Sequence, residues 1–310
     1  MTENIQIGTT DVYSTPLGLG TNAVGGHNLF PNLNDDTGKE IVRTALTNGI
    51  TLLDTAFAYG MGRSEELIGE VLKAFDRSKV VIATKAAHDP ANPGTFNNTP
   101  EFLTRSVEEA LQRLQTDYID IFYIHFPDET TPKNEAVAAL QKLKNAGKIK
   151  AIGVSNFSLE QIKEANQEGF VDIVEDEYSL IHRKAEKELL PYLKDNEISF
   201  VPYFPLASGL LTGKYESDVI FPPEDIRSKK PDFQGERFKS IIEKVNQLKL
   251  IAADYNASVA ATVLAWYIKN PFVAVVIPGA KKPEQVLNNV KALEVHLTEE
   301  DYQRINQLFR

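Results

Sequence analysis

The 310-residue sequence contains no cysteine, which excludes disulfide bonds and thiolate metal ligands and gives no sign of an oxidising compartment. No apolar run reaches the roughly 18 to 20 residues that a membrane span requires, and residues 1–14 show neither the basic nor the apolar region of a signal peptide. Basic residues are in the minority, and the formal net charge of -10 disfavours a general nucleic-acid or acidic-membrane surface. These absences predict a cytoplasmic, soluble globular protein.

A regular alternation of short β-rich apolar runs with longer segments of helical period fills the chain. The strand candidates are residues 15–21, 50–55, 80–85, 118–125, 149–155, 171–177, 198–204 and 273–279. Eight strand–helix units in this length favour a single (β/α)8 TIM barrel over residues 1–310 rather than an open doubly wound sheet. We also expect an N-terminal β-hairpin within residues 5–15 and extra C-terminal helices.

The stretch PLGLGTNAVGG carries the spacing G-x-G-x-x-A at Gly18, Gly20 and Ala23, which resembles the glycine fingerprint of a Rossmann dinucleotide-binding unit. That fingerprint requires a helix that begins at the glycines, whereas here a loop follows and helical periodicity begins only near Asp35. The acidic residue expected at the end of a strand about 20 residues further on is also missing, because the next strand ends at Asp54. We therefore interpret these glycines as positions where the first barrel strand passes close to a bulky neighbour.

Polar residues end the successive strand candidates, and in a TIM barrel those ends form the functional face. Asp54, Lys85 and His125 end strands two, three and four, and Tyr59 follows Asp54 closely. Each alone has an ordinary structural interpretation, as a turn former, a solvated lysine, a structural histidine or a packed tyrosine. Together they suit proton transfer to an oxyanion, because a lysine cation favours the phenolate, a carboxylate orients the lysine and a histidine binds the substrate oxygen.

These four residues resemble the catalytic tetrad of the aldo-keto reductase superfamily. The strings LDTAFAYGMGRSEELIGEVL, YIDIFYIHFPD, GKIKAIGVSNFS, VPYFPLASGLLTGKY and IPGAKKPEQVLNN are similar to that family from about residue 6 to the C-terminus. The resemblance implies an NAD(P)H-dependent oxidoreductase that interconverts aldehydes or ketones and alcohols without a metal, with Tyr59 as general acid and base. GTNAVGGHNLFPNLND and PYFPLASGLLTGKY are most similar to a bacterial branch associated with inositol-catabolism gene clusters.

The resemblance also implies that NADP(H), with NAD(H) as the alternative, lies extended across the barrel mouth. The residues expected to contact it are Gly20, Thr21, Asn22, Asp54, Ser155, Asn156, Glu175, Tyr203, Phe204, Pro205, Leu206, Ser208, Gly209, Leu211, Lys214, Gly279, Ala280, Lys281, Lys282, Gln285 and Asn289. In the family pattern Tyr203 stacks on the nicotinamide, while Ser155 and Asn156 bind its carboxamide. The loop 206–214 resembles the pyrophosphate-holding segment, and the lysines at 281 and 282 resemble the grip on the adenosine 2'-phosphate.

Two positions depart from the family pattern. Glu175 stands where the family commonly has glutamine, so that a carboxyl replaces the amide that meets the nicotinamide carboxamide. Gln285 stands where many members carry arginine near the adenosine phosphate, which weakens the preference for NADP(H). Asn289 keeps the amide that contacts adenine.

The substrate is expected to be a small carbonyl compound or polyol. His27, Phe30, Phe57, Phe126 and Phe204 could line an aromatic pocket above the nicotinamide, and each could equally pack against loops. Residues 216–236 form a long stretch rich in proline and charge, and loops of this length are often lids.

Two other function classes stay open. The first is an NADP(H)-binding regulatory or redox-sensing partner with little turnover, because some branches of the family serve as auxiliary channel subunits and can retain the tetrad. The second is a metal-dependent barrel hydrolase or isomerase. We expect no metal, because the H-x-H spacing typical of such enzymes is absent and the chain has only five histidines.

Overall fold

The computed structural model describes residues 4–222 and 225–310. The strands are β1 (Ile5–Gln6), β2 (Tyr13–Ser14), β3 (Leu19–Gly20), β4 (Leu52–Asp54), β5 (Val81–Ala86), β6 (Ile119–Ile124), β7 (Ile149–Ser155), β8 (Ile173–Glu177) and β9 (Ser199–Tyr203). The helices are α1 (Asp35–Thr47), α2 (Arg63–Leu72), α3 (Pro100–Leu114), α4 (Lys133–Asn145), α5 (Leu159–Ala165), α6 (Leu189–Asp195), α7 (Gly235–Asp254), α8 (Val259–Lys269), α9 (Pro283–Val290) and α10 (Glu299–Leu308). In these described ranges, no helix has the length and apolarity to cross a membrane.

Strands β3 to β9 form one parallel sheet in chain order, and each pair of neighbours is joined by a helix. The eighth predicted strand, residues 273–279, closes this sheet into a barrel without forming a regular ladder. Its Ala274 amide donates to Phe200 of β9 at 2.9 Å, and on its other side Gly18 donates to the carbonyl of Val276 at 2.8 Å. Pro278 lacks an N–H group, so pairing there is limited to isolated bridges. The closed (β/α)8 architecture predicted from the sequence is confirmed.

The predicted N-terminal hairpin is present as the antiparallel pair β1 and β2, and it covers the N-terminal end of the barrel. Ile7 and Val12 join the apolar cluster inside the barrel, and the Gly8 amide donates to Ser199 Oγ at 2.8 Å, where β9 begins. Gly8 has a positive φ of 53°, and a Cβ there would lie 2.7 Å from the carbonyl oxygen of Asp172. The interior is therefore sealed at this end, and the C-terminal ends of the strands form the open mouth.

A buried ion pair joins α2, α3 and β5 on the outer side of the sheet. Glu65 accepts a hydrogen bond from Thr84 Oγ1 at 2.5 Å, and Arg113 Nε donates to its other oxygen at 2.6 Å. Glu65 is fully buried, so the arginine supplies the only cation that its carboxylate contacts among the described residues. This pair holds the start of α2, and with it the loop that carries Tyr59, against α3.

We predict that Arg113→Met lowers the free energy of unfolding by about 3–5 kcal/mol, because it leaves a buried carboxylate without its partner. The measurement is urea-induced unfolding at neutral pH. The double variant Glu65→Gln/Arg113→Met is the control, and it should be more stable than the single variant because no buried charge remains. Equal stability of the two variants would contradict this explanation.

Candidate active site

The upper layer of the barrel interior is polar. Asp54, Lys85 and Glu175 each stand two positions beyond an apolar interior residue of their strand, and because side chains alternate along a strand they also face the interior. None of the three is more than 3% exposed. The strands therefore bring one cation and two carboxyl groups into a single buried pocket below the mouth.

Lys85 is the centre of this pocket. Its Nζ donates to Asp54 Oδ1 at 2.5 Å and to the carbonyl of Thr55 at 3.0 Å. Glu175 Oε2 lies 3.3 Å from the same Nζ as an ion-pair contact, and this oxygen has no hydrogen-bond partner in residues 4–222 and 225–310. Burial by itself would lower the pKa of Lys85, but the carboxyls of Asp54 and Glu175 outweigh burial and raise it. Lys85 is therefore charged at neutral pH.

The floor under Lys85 is the ring of Tyr123, whose centroid lies 5.4 Å from Nζ. Tyr123 is buried, and it fits only because position 153 on the next strand is glycine. A Cβ on Gly153 would lie 2.2 Å from Cδ1 of the tyrosine. The glycine therefore makes room for the aromatic ring that packs against the Lys85 ammonium.

Tyr59 is carried over Lys85 by the loop that follows β4. The amide of Phe57 donates to the carbonyl of Lys85 at 2.9 Å, so parallel pairing continues beyond the strand. The Tyr59 ring centroid lies 5.7 Å from Lys85 Nζ and 6.4 Å from the edge-on ring of His125. The structure thus brings together all four residues of the predicted tetrad.

The protonation states of this group are set mainly by burial. Burial raises the pKa of Tyr59, and the Lys85 cation acts in the opposite direction without cancelling the shift. Burial, with smaller contributions from Lys85 and His88, lowers the pKa of His125 well below its usual range. Tyr59 therefore keeps its proton and His125 is neutral at pH 7.

Asn156 and Tyr203 form a second group, across the mouth from Tyr59. Asn156 has a positive φ of 61°, and its amide nitrogen donates to the carbonyl of His125 and to Ser155 Oγ, both at 3.0 Å. The Tyr203 hydroxyl donates to Asn156 Oδ1 at 2.9 Å. This network fixes the Tyr203 ring, which the sequence predicted as a stacking surface.

The loop after β9 has a strained backbone. The non-glycine residues in the left-handed region are Phe204 (φ 53°), Ala207 (φ 47°) and Ser208 (φ 54°), and Gly209 follows with φ 96°. Such conformations cost about 1–3 kcal/mol each and cluster at functional sites. Pro205 and Leu211 have buried side chains and Leu206 is partly buried, so these residues anchor the loop and offer a ligand mainly their backbone.

Three cations gather beyond this loop. Burial lowers the pKa of Lys281, the charges of Arg227 and Lys214 lower it further, and the Asp225 carboxylate opposes them without cancelling the shift. Neither Lys214 nor Lys281 forms a salt bridge with any residue in the described part of the chain, whereas Arg227 pairs with Asp225. Like charges are placed together at a cost unless an anion lies between them, so the cluster is suited to phosphate groups.

The first barrel strand and the eighth segment meet at the mouth through two glycines, Gly20 and Gly279, which form a bridge. The Oδ1 atom of Asn22 lies 3.3 Å from where a Cβ on Gly279 would stand. Thr21 is buried and its hydroxyl donates to the carbonyl of Asp54 at 2.8 Å, so its side chain serves the barrel rather than a ligand. Ala280, next to Gly279, is also buried.

Helix α9 begins directly after the lysine pair. Lys282 is its N-cap residue and is exposed, and Gln285 Oε1 accepts a hydrogen bond from the Lys281 amide at 2.7 Å. The side chain of Gln285 therefore holds the turn that presents Lys281. Asn289 is 6% exposed, and its side chain makes no hydrogen bond to another described residue.

The predicted substrate residues divide into two sets. Phe126 lies at the mouth, with its ring centroid 4.7 Å from that of His125. Phe204 is also at the rim, half exposed and 5.3 Å from the Tyr203 ring. In contrast, the other three contact different partners: Lys281 lies 4.1 Å over Phe30, Arg113 lies 5.1 Å from Phe57, and His27 pairs with Asp35 at 2.7 Å.

The structure adds residues that the sequence reasoning missed. Phe96 stacks on Phe126 at 4.7 Å, and His88 lies 5.5 Å from His125. Both residues therefore extend the aromatic surface that His125 and Phe126 form at the mouth. Arg227, within the long segment 216–236, acts on Lys281 together with Lys214 and so belongs to the same cation cluster. The only sequence signal for these residues was their place in loops after strands, because loop side chains have no periodicity.

His182 links the long segment 216–236 to the end of β8 through two carboxylates. His182 Nε2 lies 2.6 Å from Asp232 Oδ2, and its Nδ1 lies 3.2 Å from Glu177 Oε1. Burial alone would lower the pKa of His182, but these two carboxylates outweigh burial and raise it. The histidine therefore binds its partners most strongly when protonated.

We predict that His182→Asn lowers the unfolding midpoint more at mildly acidic than at alkaline pH. Because the folded pKa is raised, the stabilisation is complete below the unfolded value of about 6.5 and disappears as pH rises through the folded pKa. Thermal unfolding at both pH values measures this difference, with His296→Asn at an exposed position as the control. A decrease in the unfolding midpoint of His182→Asn that does not depend on pH would contradict a stabilising role for the protonated histidine.

Similarity to known proteins agrees with this geometry. Residues 16–310 match the Aldo/keto reductase family. Aldo-keto reductase YhdN of Bacillus subtilis is 39% identical over 99% of this chain and 93% of its own length. The NADH-specific methylglyoxal reductase of Escherichia coli is 37% identical, with 96% of each chain covered. A probable voltage-gated potassium channel subunit beta of Oryza sativa is 34% identical over 83% of this chain and 82% of its own.

Among solved structures, a glycerol dehydrogenase from Gluconobacter oxydans superposes with a TM-score of 0.91 at 33% identity, covering 98% of this chain and 94% of that one. The likeness therefore extends over the whole barrel and includes the strand ends that carry Asp54, Lys85 and His125. The chain belongs to the aldo/keto reductase family, the NAD(P)H-dependent oxidoreductases that interconvert carbonyl compounds and alcohols.

Proposed function

We propose that this chain reduces small aldehydes or ketones with NADP(H), and that Tyr59 gives its proton to the substrate oxygen. The observation that carries the proposal is the convergence of Tyr59, His125 and the buried Lys85–Asp54 pair at the open end of the barrel. All of these residues come from one barrel, which we propose forms a single domain over residues 1–310.

Proton delivery follows from the charges in the pocket. Tyr59 retains its proton at neutral pH because burial raises its pKa, so it enters the reaction as an acid. As the substrate oxygen takes the proton, the phenolate that forms is stabilised by the Lys85 ammonium. Asp54 keeps that ammonium in place through the 2.5 Å hydrogen bond. Lys85 thus acts on the charge that develops during the transfer.

His125 orients the substrate. Its imidazole is neutral because burial lowers its pKa, so it can donate a hydrogen bond to a carbonyl oxygen without adding a charge. Phe126 and Phe96 stack beside it and form an apolar wall for the remainder of a small substrate. This wall, next to one hydrogen-bond donor and one acid, suits a compact carbonyl compound.

The residues of the mouth fit a dinucleotide. When bound, reduced nicotinamide supplies the hydride for the carbonyl carbon. Tyr203, held by Asn156, offers a flat surface, and Ser155 and Asn156 offer polar groups for a carboxamide. Lys214, Arg227 and Lys281 supply positive charge for phosphates, and the free amide of Asn289 suits adenine.

We propose a preference for NADP(H), with NAD(H) accepted more weakly. Lys281 and Lys282 stand at the N-terminus of α9, where the side-chain charges and the positive end of the helix dipole favour a 2'-phosphate. We further propose membership of the bacterial branch associated with inositol-catabolism gene clusters, which makes a polyol or its carbonyl product a candidate substrate. Because the reaction uses the cellular pool of nicotinamide cofactor, we propose a cytoplasmic location.

A second candidate is a cofactor-binding partner protein with little turnover. The likeness to a probable channel subunit beta favours it. Turnover across a panel of carbonyl compounds distinguishes the two candidates, since the partner protein would bind NADPH tightly and turn over none of them.

We predict that Tyr59→Phe lowers the rate of carbonyl reduction by about 100-fold to 10,000-fold, because the variant lacks the acid. The dissociation constant of NADPH should stay within a few-fold, since the hydroxyl is not needed for binding. Reduction of 4-nitrobenzaldehyde, followed by NADPH absorbance, measures the rate. Tyr13→Phe, in the exposed hairpin at the other end of the barrel, is the matched control. Undiminished turnover by Tyr59→Phe would remove this residue from the mechanism.

We predict that Lys281→Met weakens NADPH binding by about 10-fold to 100-fold, the equivalent of one charge-assisted hydrogen bond of about 1.5–3 kcal/mol. NADH binding should change little, because only NADPH carries the 2'-phosphate. Equilibrium titration of both cofactors gives the ratio. Lys291→Met, at the other end of α9, is the control. An equal loss for both cofactors would assign Lys281 to the shared pyrophosphate instead.

A further inference from the structure

The buried pocket under the mouth contains one more carboxyl than its cation can balance. Lys85 Nζ lies 2.5 Å from Asp54 Oδ1 and 3.3 Å from Glu175 Oε2, and these side chains are at most 4% exposed. If all three groups were ionised, the pocket would carry a net negative charge. Lys85 is the only cation that either carboxyl contacts among the described residues.

The other groups that face Glu175 do not supply the missing charge. Tyr59, Tyr123 and Tyr203 surround it from the loop after β4 and from strands β6 and β9, and burial raises the pKa of each phenol, so all three are neutral. His125 is neutral as well. The two acidic neighbours on the same strand, Asp176 and Glu177, add only negative charge.

Asp54 and Glu175 do not share Lys85 equally. Asp54 accepts a direct hydrogen bond from Nζ, whereas Glu175 Oε2 is buried without a hydrogen-bond partner in the described residues. Burial raises the pKa of both carboxyls, but the charge and hydrogen bond of Lys85 oppose this shift at Asp54, whereas the Asp54 carboxylate adds to it at Glu175, whose pKa is raised well above its usual range. The stable arrangement is therefore an ionised Asp54, a charged Lys85 and a protonated Glu175.

A protonated glutamic acid has the shape of glutamine, the residue that the family commonly carries at this position. It offers one O–H donor where glutamine offers two N–H donors, and unlike glutamine it can lose its proton and become an anion. Oxidised nicotinamide carries a positive charge on its ring and reduced nicotinamide carries none. An ionisable carboxyl at this place can therefore respond to the redox state of the cofactor, and an amide cannot.

We propose that Glu175 determines how the site discriminates between oxidised and reduced cofactor, by keeping its proton beside the neutral ring and losing it to solvent when the cationic ring binds. This inference rests on the proposed function, because it requires that the nicotinamide lies at the strand ends. The step breaks only the O–H bond of the carboxyl, and the proton passes to water with no change of oxidation state. NADP+ binding is then coupled to proton release, and NADPH binding is not.

The consequence is a pH-dependent preference. As pH rises, the dissociation constant of NADP+ should fall by up to about tenfold per pH unit relative to that of NADPH, the limit for one coupled proton. Both cofactors carry the 2'-phosphate, so its titration affects both dissociation constants and cancels in their ratio. Higher pH should therefore favour the oxidised cofactor and alcohol oxidation.

The test compares wild type with Glu175→Gln, which retains the shape of the protonated side chain. Isothermal titration with NADP+ and with NADPH, in two buffers of different ionisation enthalpy between about pH 7 and pH 9, counts the protons released and gives both dissociation constants. We expect wild type to release a fraction of one proton per molecule of NADP+ bound and none with NADPH. We expect Glu175→Gln to release no proton with either cofactor and to show a ratio of the two dissociation constants that is independent of pH. Glu177→Gln, an exposed residue of the same strand that pairs with His182, should behave as wild type.

Two results would overturn the inference: equal proton release by wild type and Glu175→Gln, or a wild-type ratio that does not change with pH. In both cases tight cofactor binding and carbonyl reduction by Glu175→Gln would leave the proposed function intact. If neither protein binds NADP+ or NADPH, the proposed function fails and the inference fails with it.

Discussion

The charge of Lys85 is the constraint on which the open end of this barrel depends. A buried cation is stable only where oxygens replace the water that it has lost. Those oxygens, Asp54 Oδ1 and the Thr55 carbonyl, both come from the end of β4. The same segment continues to pair with β5 as far as Phe57, and this pairing carries Tyr59 over the ammonium. One continuous segment therefore both supplies the oxygens that bind Lys85 and places the acid Tyr59 over it.

Packing beneath the lysine matters for the same reason. The Tyr123 ring fills the barrel below Nζ, and the glycine at position 153 leaves room for it. The ring occupies space beside the ammonium that water would otherwise fill, and water there would screen the effect of Lys85 on Tyr59, since Coulomb interactions weaken as the effective dielectric constant rises. The apolar interior thus contributes to the chemistry because it keeps the electrostatic effect of Lys85 on the Tyr59 phenol strong.

The architecture and the tetrad could be predicted from the sequence because both depend on the order of the strands and on which residues end them. Asp54, Lys85 and His125 each follow an apolar run directly, and consecutive parallel strands place such residues side by side. The directions of loop side chains could not be predicted in this way. Phe30 and Phe57 lie in loops, where a ring can turn either way, and here they contact Lys281 and Arg113. The expected effect of Lys85 on Tyr59 has the predicted sign, but burial of the phenol, which no pattern revealed, dominates its pKa.

The glycines of the first barrel strand show how one short motif can serve two purposes. A Cβ on Gly18 would lie 2.9 Å from Leu52 and 3.0 Å from Ile277, and one on Gly20 would lie 3.1 Å from the carbonyl of Ile277. They permit the close approach that closes the barrel, whereas in a Rossmann unit such glycines admit a pyrophosphate. Because no helix starts at these glycines, phosphate recognition must come from elsewhere. Here the available charges, Lys214, Arg227 and Lys281, all come from segments after β9. In the function proposed above, the cofactor phosphates are therefore bound by the later loops and not by the glycines that close the barrel.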